Sequence, residues 1–251
     1  MVVEQGKSGY NCDQMSKIVV SFSGGLDSTV LCALLLAERK HQSVLPVFFR
    51  YGSKHGQWEE EAARKVAEYF SLQLTLVDLH AAFSHTTSVL LAADKRRIPK
   101  TGYDTKSMEQ TLVPGRNLIF ASFLAAIAES RQAEALALAT HAGDHCLYPD
   151  CRPSFNAALA STIMESSDGK VCLLMPFATL DKAAIVAQGI RLGVPFHLTR
   201  SCYENQAGSC GKCGTCRERL AAFLANGVAD PLLYAGSRNG RKRRYGGVIS
   251  P

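Results

Sequence analysis

The sequence predicts an α/β protein in which a parallel sheet carries helices on both faces. Short uninterrupted apolar runs read as strands buried on both sides, and segments of helical composition alternate with them. A Gly-Gly turn joins the first run directly to the first helix. A chain of 251 residues suits one such domain with a small satellite. A chain of this size buries about 70% of its unfolded surface, so no disulfide scaffold is required.

Taken in order, Ile18–Phe22 is a β-branched strand, followed by Gly24-Gly25 and a Leu- and Ala-rich helix over Leu26–Glu38. Val44–Phe49 is a second strand, Glu59–Phe70 a helix, and Leu72–Leu79 alternates as a third strand would. His80–Pro114 is long, polar and weakly periodic, which reads as a functional lid or flap. Asn117 is placed to cap a helix over Leu118–Glu129, and Ala135–Thr140 reads as a strand. Ser154–Met164 is a helix, and so is Asp181–Leu192, capped by Asp181 and stopped near Gly193-Val194-Pro195. Helical spacing returns over Cys213–Asn226 ahead of Gly227. The expected divisions are an N-terminal extension at 1–16, the α/β domain at 17–200, a Cys-rich knuckle with its helix at 201–231, and a basic tail at 232–251.

Composition narrows the function classes. Hydrophobic residues make up 47% and charged residues 20%, and the longest apolar runs, such as Val30–Ala37, are too short to span a bilayer. Twenty Gly and nine Pro exclude collagenous and disordered chains. Met1–Ser16 has no apolar core of the kind a signal peptide carries, so a cytoplasmic protein with no membrane role is expected. The net charge of +6 comes almost wholly from Arg238, Arg241, Lys242, Arg243 and Arg244. Such a tail reads as a solvated end, and the body is not a polyanion binder by charge.

Two motifs carry chemistry. Ser23-Gly24-Gly25-Leu26-Asp27-Ser28-Thr29 stands between the first strand and the first helix. Two Gly let backbone amides approach an anion, and a helix N-terminus adds positive potential. Ser23, Ser28 and Thr29 offer hydroxyl donors, and Asp27 suits Mg²⁺ bound to phosphates. No GxxxxGK[ST] pattern is present, so this is not a Walker loop. The second motif is Cys202, Cys210, Cys213 and Cys216, four of nine Cys in the chain. Four thiolates at this spacing close a tetrahedron, so structural Zn²⁺ is expected, one per chain, with no open position for catalysis; an iron–sulfur cluster and free thiols are the alternatives. Lys212, Arg217 and Arg219 are expected to offset its charge.

The Ser-Gly-Gly-x-Asp-Ser turn resembles the PP-loop ATP pyrophosphatases. That resemblance implies a flavodoxin-like nucleotide fold, cleavage of ATP between its α and β phosphates, and pyrophosphate held by the turn. Phe22–Thr29, Val113-Pro114-Gly115-Arg116-Asn117, Tyr148-Pro149-Asp150-Cys151-Arg152, Asp181-Lys182 and Thr199–Arg217 occur in that order. Together they resemble the 7-cyano-7-deazaguanine synthase family of queuosine precursor synthesis, over about Ile18–Tyr234. The resemblance implies a carbon–nitrogen ligase that uses ATP, Mg²⁺ and ammonia to convert 7-carboxy-7-deazaguanine to 7-cyano-7-deazaguanine through an adenylated acid and an adenylated amide. Ser23, Asp27 and Ser28 are then the catalytic candidates. Nucleotide contacts are expected along Phe22, Ser23, Gly24, Gly25, Leu26, Asp27, Ser28, Thr29, Val30, Leu31 and Cys32. Arg116, Asn117, Asp144, Asp150, Arg152 and Lys182 are candidates for substrate contact, each with a structural alternative as a cap, ion pair or ordinary surface group. Cys151 reads as a buried inert thiol, and Trp58 as packing.

Where the family shows an acidic residue before Tyr-Gly and a Gln after it, this chain has Arg50-Tyr51-Gly52-Ser53-Lys54-His55. That departure and the added termini keep a second reading open: a homologue that transfers the activated deazaguanine to a protein or nucleic acid. A PP-loop tRNA thiolase and a non-enzymatic zinc-knuckle RNA-binding module are further alternatives. A homodimer is compatible with all of them.

Overall fold

The computed structural model describes residues 15–38, 43–100 and 108–235. Most of the N-terminal extension, Cys12 and the five cations of the basic tail lie outside those residues.

Five parallel strands form one sheet: β1 (Lys17–Ser21), β2 (Ser43–Arg50), β3 (Thr75–Asp78), β4 (Ala135–Ala137) and β5 (Cys172–Leu174), in the order β3-β2-β1-β4-β5. The central strand β1 contributes Ile18, Val19 and Val20, all fully buried because helices cover both faces. Ile18 and Val20 face a core built with α1 (Leu26–Glu38), α2 (Gly56–Tyr69) and two later helices, α5 (Lys182–Arg191) and α6 (Gly214–Ala225). Val19 faces the opposite core, packed by α3 (Arg116–Ser130) and α4 (Pro153–Ser166). The strand order reverses between β1 and β4, which leaves a crevice at their carboxyl ends.

The expected elements are present with shifted ends, and β5 is an addition. Its three residues are too few to show a period in sequence, and it is recognisable only through its pairing with β4. Pairing on β4 stops at Ala137, so the predicted strand over Ala135–Thr140 is cut short as the chain turns into the crevice. Asn117 does not cap α3. Gly115, at φ +68°, is the cap residue, and Asn117 lies inside the first turn. Asp181 does cap α5, its carboxylate accepting from the Ala184 amide at 2.8 Å.

The segment His80–Pro114 is not structureless where it is described. It opens with a helical turn at His80–Phe83, buries Val89, Leu90 and Leu91, and bridges Ser53 through Leu91. Its polar composition hid a short apolar anchor that ties it to the β2–α2 connection.

Leu232–Ala235, assigned from sequence to the solvated tail, instead close over the knuckle. Tyr234 bridges Ser209 and donates its hydroxyl to Asp230 at 2.5 Å, and the Ala235 amide donates to the Ser209 carbonyl at 2.8 Å.

Candidate active site and metal centre

The phosphate loop is a helix start held open by its own side chains. The first helical bond of α1 runs from the Thr29 amide to the Gly25 carbonyl at 3.1 Å, so the amides of Leu26, Asp27 and Ser28 have no partner within the helix. Ser23 and Ser28 lie 3.2 Å apart through their hydroxyls, and the Gly25 amide donates to Ser23 Oγ at 3.2 Å. Gly24 cannot be replaced cheaply: at φ +69° a Cβ would stand 2.3 Å from the Ala63 amide nitrogen of α2. Phe22, Ser23, Gly25, Leu26, Asp27 and Ser28 line the crevice. The remaining members of the expected nucleotide run support it from behind. Thr29 is fully buried and its hydroxyl donates to the Gly25 carbonyl at 2.7 Å, so it faces its own helix and not an anion. Val30, Leu31 and Cys32 belong to the core, and burial pushes the Cys32 thiol up to about 12.

A charged cluster stands beside the loop. Lys182, at the start of α5, donates to Asp27 Oδ2 at 2.7 Å and lies 3.4 Å from Glu218 of α6. Burial opposes ionisation of Asp27, but the Lys182 ammonium and its hydrogen bond hold the carboxyl below its usual range. The same pairing raises Lys182 against its own desolvation. Glu218 has no such dominant partner, and burial raises it to about 7. Asp27 Oδ1 is buried without a hydrogen-bond partner, an unsatisfied anion that suits a cation arriving with the phosphates.

The opposite wall is aromatic and cationic. Tyr51, Phe120, Tyr148 and Tyr203 line the crevice with Arg116, whose guanidinium lies 5.9 Å from the centre of the Tyr51 ring. Of the expected substrate contacts, Arg116, Asn117, Asp144 and Lys182 reach the crevice, whereas Asp150 and Arg152 are not among the residues that line it. Asp150 accepts from the Asn117 amide at 3.1 Å and so serves the N-terminus of α3. Arg152 is exposed and donates to the His145 carbonyl at 3.3 Å. Asn117 Nδ2 contacts Cys151 Sγ at 3.4 Å, and burial raises that thiol, as suits an inert Cys. Trp58 donates to Asn205 at 2.9 Å and packs against Arg200, consistent with a packing role. Tyr51, Glu59, Phe120, Arg200, Tyr203 and Glu218 also line the crevice; Tyr51, Arg200 and Tyr203 fall within motif segments that do not distinguish them as site groups, and Glu59, Phe120 and Glu218 lie outside every motif. They come from separate elements, and only the fold brings them together.

The departing residues at β2 stay clear of the crevice. Arg50 forms a two-pronged ion pair with Glu60, both contacts at 2.7 Å, and neither Arg50 nor Ser53 lines the cavity.

Cys202, Cys210, Cys213 and Cys216 are buried together with their sulfur atoms within 4.8 Å of one another. The amides of Lys212 and Cys213 donate to Cys210 Sγ at 3.4 and 3.3 Å, and the Cys210 amide donates to Cys202 Sγ at 3.3 Å, which stabilises thiolate charge. Arg219 does not offset the cluster's charge as its position in sequence suggested. It is 1% exposed and bound to Asp230 at 2.7 Å, Thr199 Oγ1 at 2.7 Å and the Phe196 carbonyl at 3.0 Å. Its work is to tie the knuckle to the sheet domain.

The family model for queuosine biosynthesis protein QueC matches residues 17–227. A 7-cyano-7-deazaguanine synthase of Agrobacterium fabrum is 40% identical over 222 residues, covering 87% of this chain and 92% of the relative. Another, of Methanoregula boonei, is 40% identical over 218 residues and covers 87% of this chain and 99% of its own. The solved structure of NMN synthetase from Francisella tularensis is similar in fold, with a TM-score of 0.50 at 14% identity over 86% of this chain and 79% of that one.

Proposed function

The chain belongs to the family of queuosine biosynthesis protein QueC, and from that premise we propose that it is an ATP-dependent ligase forming 7-cyano-7-deazaguanine from 7-carboxy-7-deazaguanine and ammonia. The observation that carries this reading is one crevice lined on one side by an anion-binding helix start and on the other by Arg116 and a wall of tyrosines.

The chemistry explains why two nucleotides are consumed. A carboxylate does not accept ammonia, because oxide is not a leaving group. Attack of the carboxylate oxygen on the α-phosphorus of ATP forms the acyl adenylate and releases pyrophosphate. Ammonia then displaces AMP and gives the amide. A second adenylation, on the amide oxygen, lets AMP leave with loss of the nitrogen protons, and the nitrile remains.

The protein's part is to position groups and stabilise charge. The amides of Leu26, Asp27 and Ser28 and the hydroxyls of Ser23 and Ser28 hold pyrophosphate. Lys182 sets Asp27 and stands ready for phosphate charge. Arg116 offers a cation to the carboxylate or the adenylate, and Tyr51 and Tyr203 provide faces for a flat bicyclic base. Asp27 Oδ1 fits a Mg²⁺ ion, which when bound neutralises phosphate charge. The four Cys thiolates fit zinc, whose filled shell accepts a closed S₄ set and braces the knuckle.

Free nitrile is the expected product, because Arg50 and Ser53 lie outside the crevice and Arg116, Asn117 and Tyr148 within it. The test is mass spectrometry on purified protein with ATP, ammonium and 7-carboxy-7-deazaguanine. Two AMP and two pyrophosphate per free nitrile, over many turnovers, are expected. ATP cleavage with no free nitrile, or with mass appearing on a macromolecule, would overturn the reading.

A further inference from the structure

His141 and Asp144 follow β4, and Glu218 lies on α6, yet these three residues bring one ligand atom each to within 4.8 Å of one another. Asp144 and Glu218 stand at the wall of the crevice beside the Lys182–Asp27 pair, and neither the adenylation nor the four-Cys centre uses the three as a set. We propose that they form a second metal site, for a divalent first-row transition ion, held by His141 and Glu218 with Asp144 supporting the imidazole.

Two observations beyond the clustering of acids point to a ligand. The first is His141 itself. It is 2% exposed, and its Nδ1 is buried with no hydrogen-bond partner. Its other nitrogen, Nε2, lies 3.3 Å from Asp144 Oδ2. A neutral imidazole has one N–H and one lone pair. With the proton assigned to Nε2, where Asp144 accepts it, the lone pair on Nδ1 faces the protein interior with nothing to receive it. A carboxylate on the far nitrogen is the arrangement that orients metal-bound histidines and strengthens them as donors.

The second observation is a gap beside the Nδ1–Cε1 edge of the ring. Gly143 leaves it open: a Cβ there would lie 3.1 Å from both Nδ1 and Cε1 of His141 and 3.5 Å from Glu218 Oε1. Nitrogen and carboxylate oxygen therefore border one small space that any side chain at 143 would fill. Glu218 Oε2 is the oxygen paired with Lys182, at 3.4 Å, so Oε1 is the one turned toward the gap.

Lys182 is the nearest cation to the site, and it is already paired with Asp27 at 2.7 Å. Asp27, Asp144 and Glu218 are three carboxyl groups grouped around a single ammonium. A mixed imidazole and carboxylate set suits Mn²⁺, Fe²⁺, Co²⁺ or Zn²⁺ better than Mg²⁺, which prefers oxygen alone. An ion here would lie one residue pair away from the phosphate loop, linked to it through Glu218, Lys182 and Asp27.

Mn²⁺ is the probe, because it disfavours thiolate sites and is read directly by electron paramagnetic resonance. Zinc-replete full-length protein is titrated with Mn²⁺ and without nucleotide, so the result stands or falls apart from the deazaguanine chemistry. One bound Mn²⁺ per chain is expected, weakened at least tenfold by His141→Ala, by Gly143→Ala and by the isosteric Glu218→Gln, with zinc content unchanged. An undiminished free-ion signal in the parent protein would overturn the proposal. So would bound Mn²⁺ whose affinity is the same in all three variants, and Glu218→Gln keeps the comparison valid if the buried His141 variant does not fold.

Discussion

Lys182 and Asp27 are 155 positions apart in sequence and 2.7 Å apart in the fold. Their pairing shows how one contact serves both stability and chemistry. Each group is buried enough to suffer desolvation, and each keeps its charge because of the other. Removing one partner leaves the other as an uncompensated buried charge, which is costlier than losing the pair. Lys182→Met should therefore cut pyrophosphate release by on the order of 10²-fold or more and also lower stability. Ser23→Ala should abolish AMP formation while leaving the fold intact, since it faces the crevice, and Asp27→Ala should abolish it and also lower stability, because Lys182 keeps only Glu218 beside it. Steady-state pyrophosphate release and chemical denaturation of the same purified variants separate the two effects. Near-normal turnover in the Asp27 and Ser23 variants would remove the loop from the reaction.

Among the elements, the knuckle and its short C-terminal strap show a dependence that composition concealed. Tyr234 packs over Gly211, within 3.2 Å of where a Cβ would stand, and its hydroxyl meets the Asp230 carboxylate that holds Arg219. The segment Leu232–Ala235 thus closes the side of the Cys cluster. Deleting the chain from Leu232 onward should lower the melting temperature and speed loss of metal to a chelator. Deletion from Gly236 onward is the control and should do neither. Equal metal retention in the two truncations would show that the strap contributes no closure. The same contacts explain why α6, which begins at the last ligand pair, docks firmly: Arg219 satisfies the Phe196 carbonyl and Thr199 hydroxyl of the preceding connection.

For the whole molecule, the consequence is that metal and sheet should unfold together. The knuckle is not a pendant module, because Arg219 and Asp230 join it to the segment that also supplies Arg200 to the phosphate loop, through a 2.9 Å bond from the Arg200 amide to the Gly24 carbonyl. Metal binding to four thiolates is coupled to folding. Purified protein should hold one zinc at Cys202, Cys210, Cys213 and Cys216, and any single Cys→Ala change should lose that metal and lower the unfolding midpoint of the entire chain. Elemental analysis beside a calorimetric melt checks both. Stoichiometric iron with visible absorbance would overturn zinc, and a melt unchanged by metal loss would make the knuckle independent. No helix among the described residues is long and apolar enough to cross a membrane.

The sequence by itself determined the features whose parts are neighbours along the chain. The turn from β1 into α1, the Asp181 cap and the four-Cys knuckle each depend on a few consecutive dihedrals, so residue type and spacing suffice to place them. Most helices were legible too, because they are runs rich in Leu, Ala and other helix formers bounded by Gly, Pro or polar residues. Tertiary structure alone decided which distant groups meet. Nothing in the local pattern could assign Asp150 to the N-terminus of α3, send Arg219 to Asp230 instead of the Cys cluster, or turn Thr29 onto its own helix. Nor could it set His141 against Glu218, or Lys182 against Asp27. Those outcomes depend on the crossing of elements over both faces of the sheet, and a buried charge takes its partner from whatever that packing places within reach.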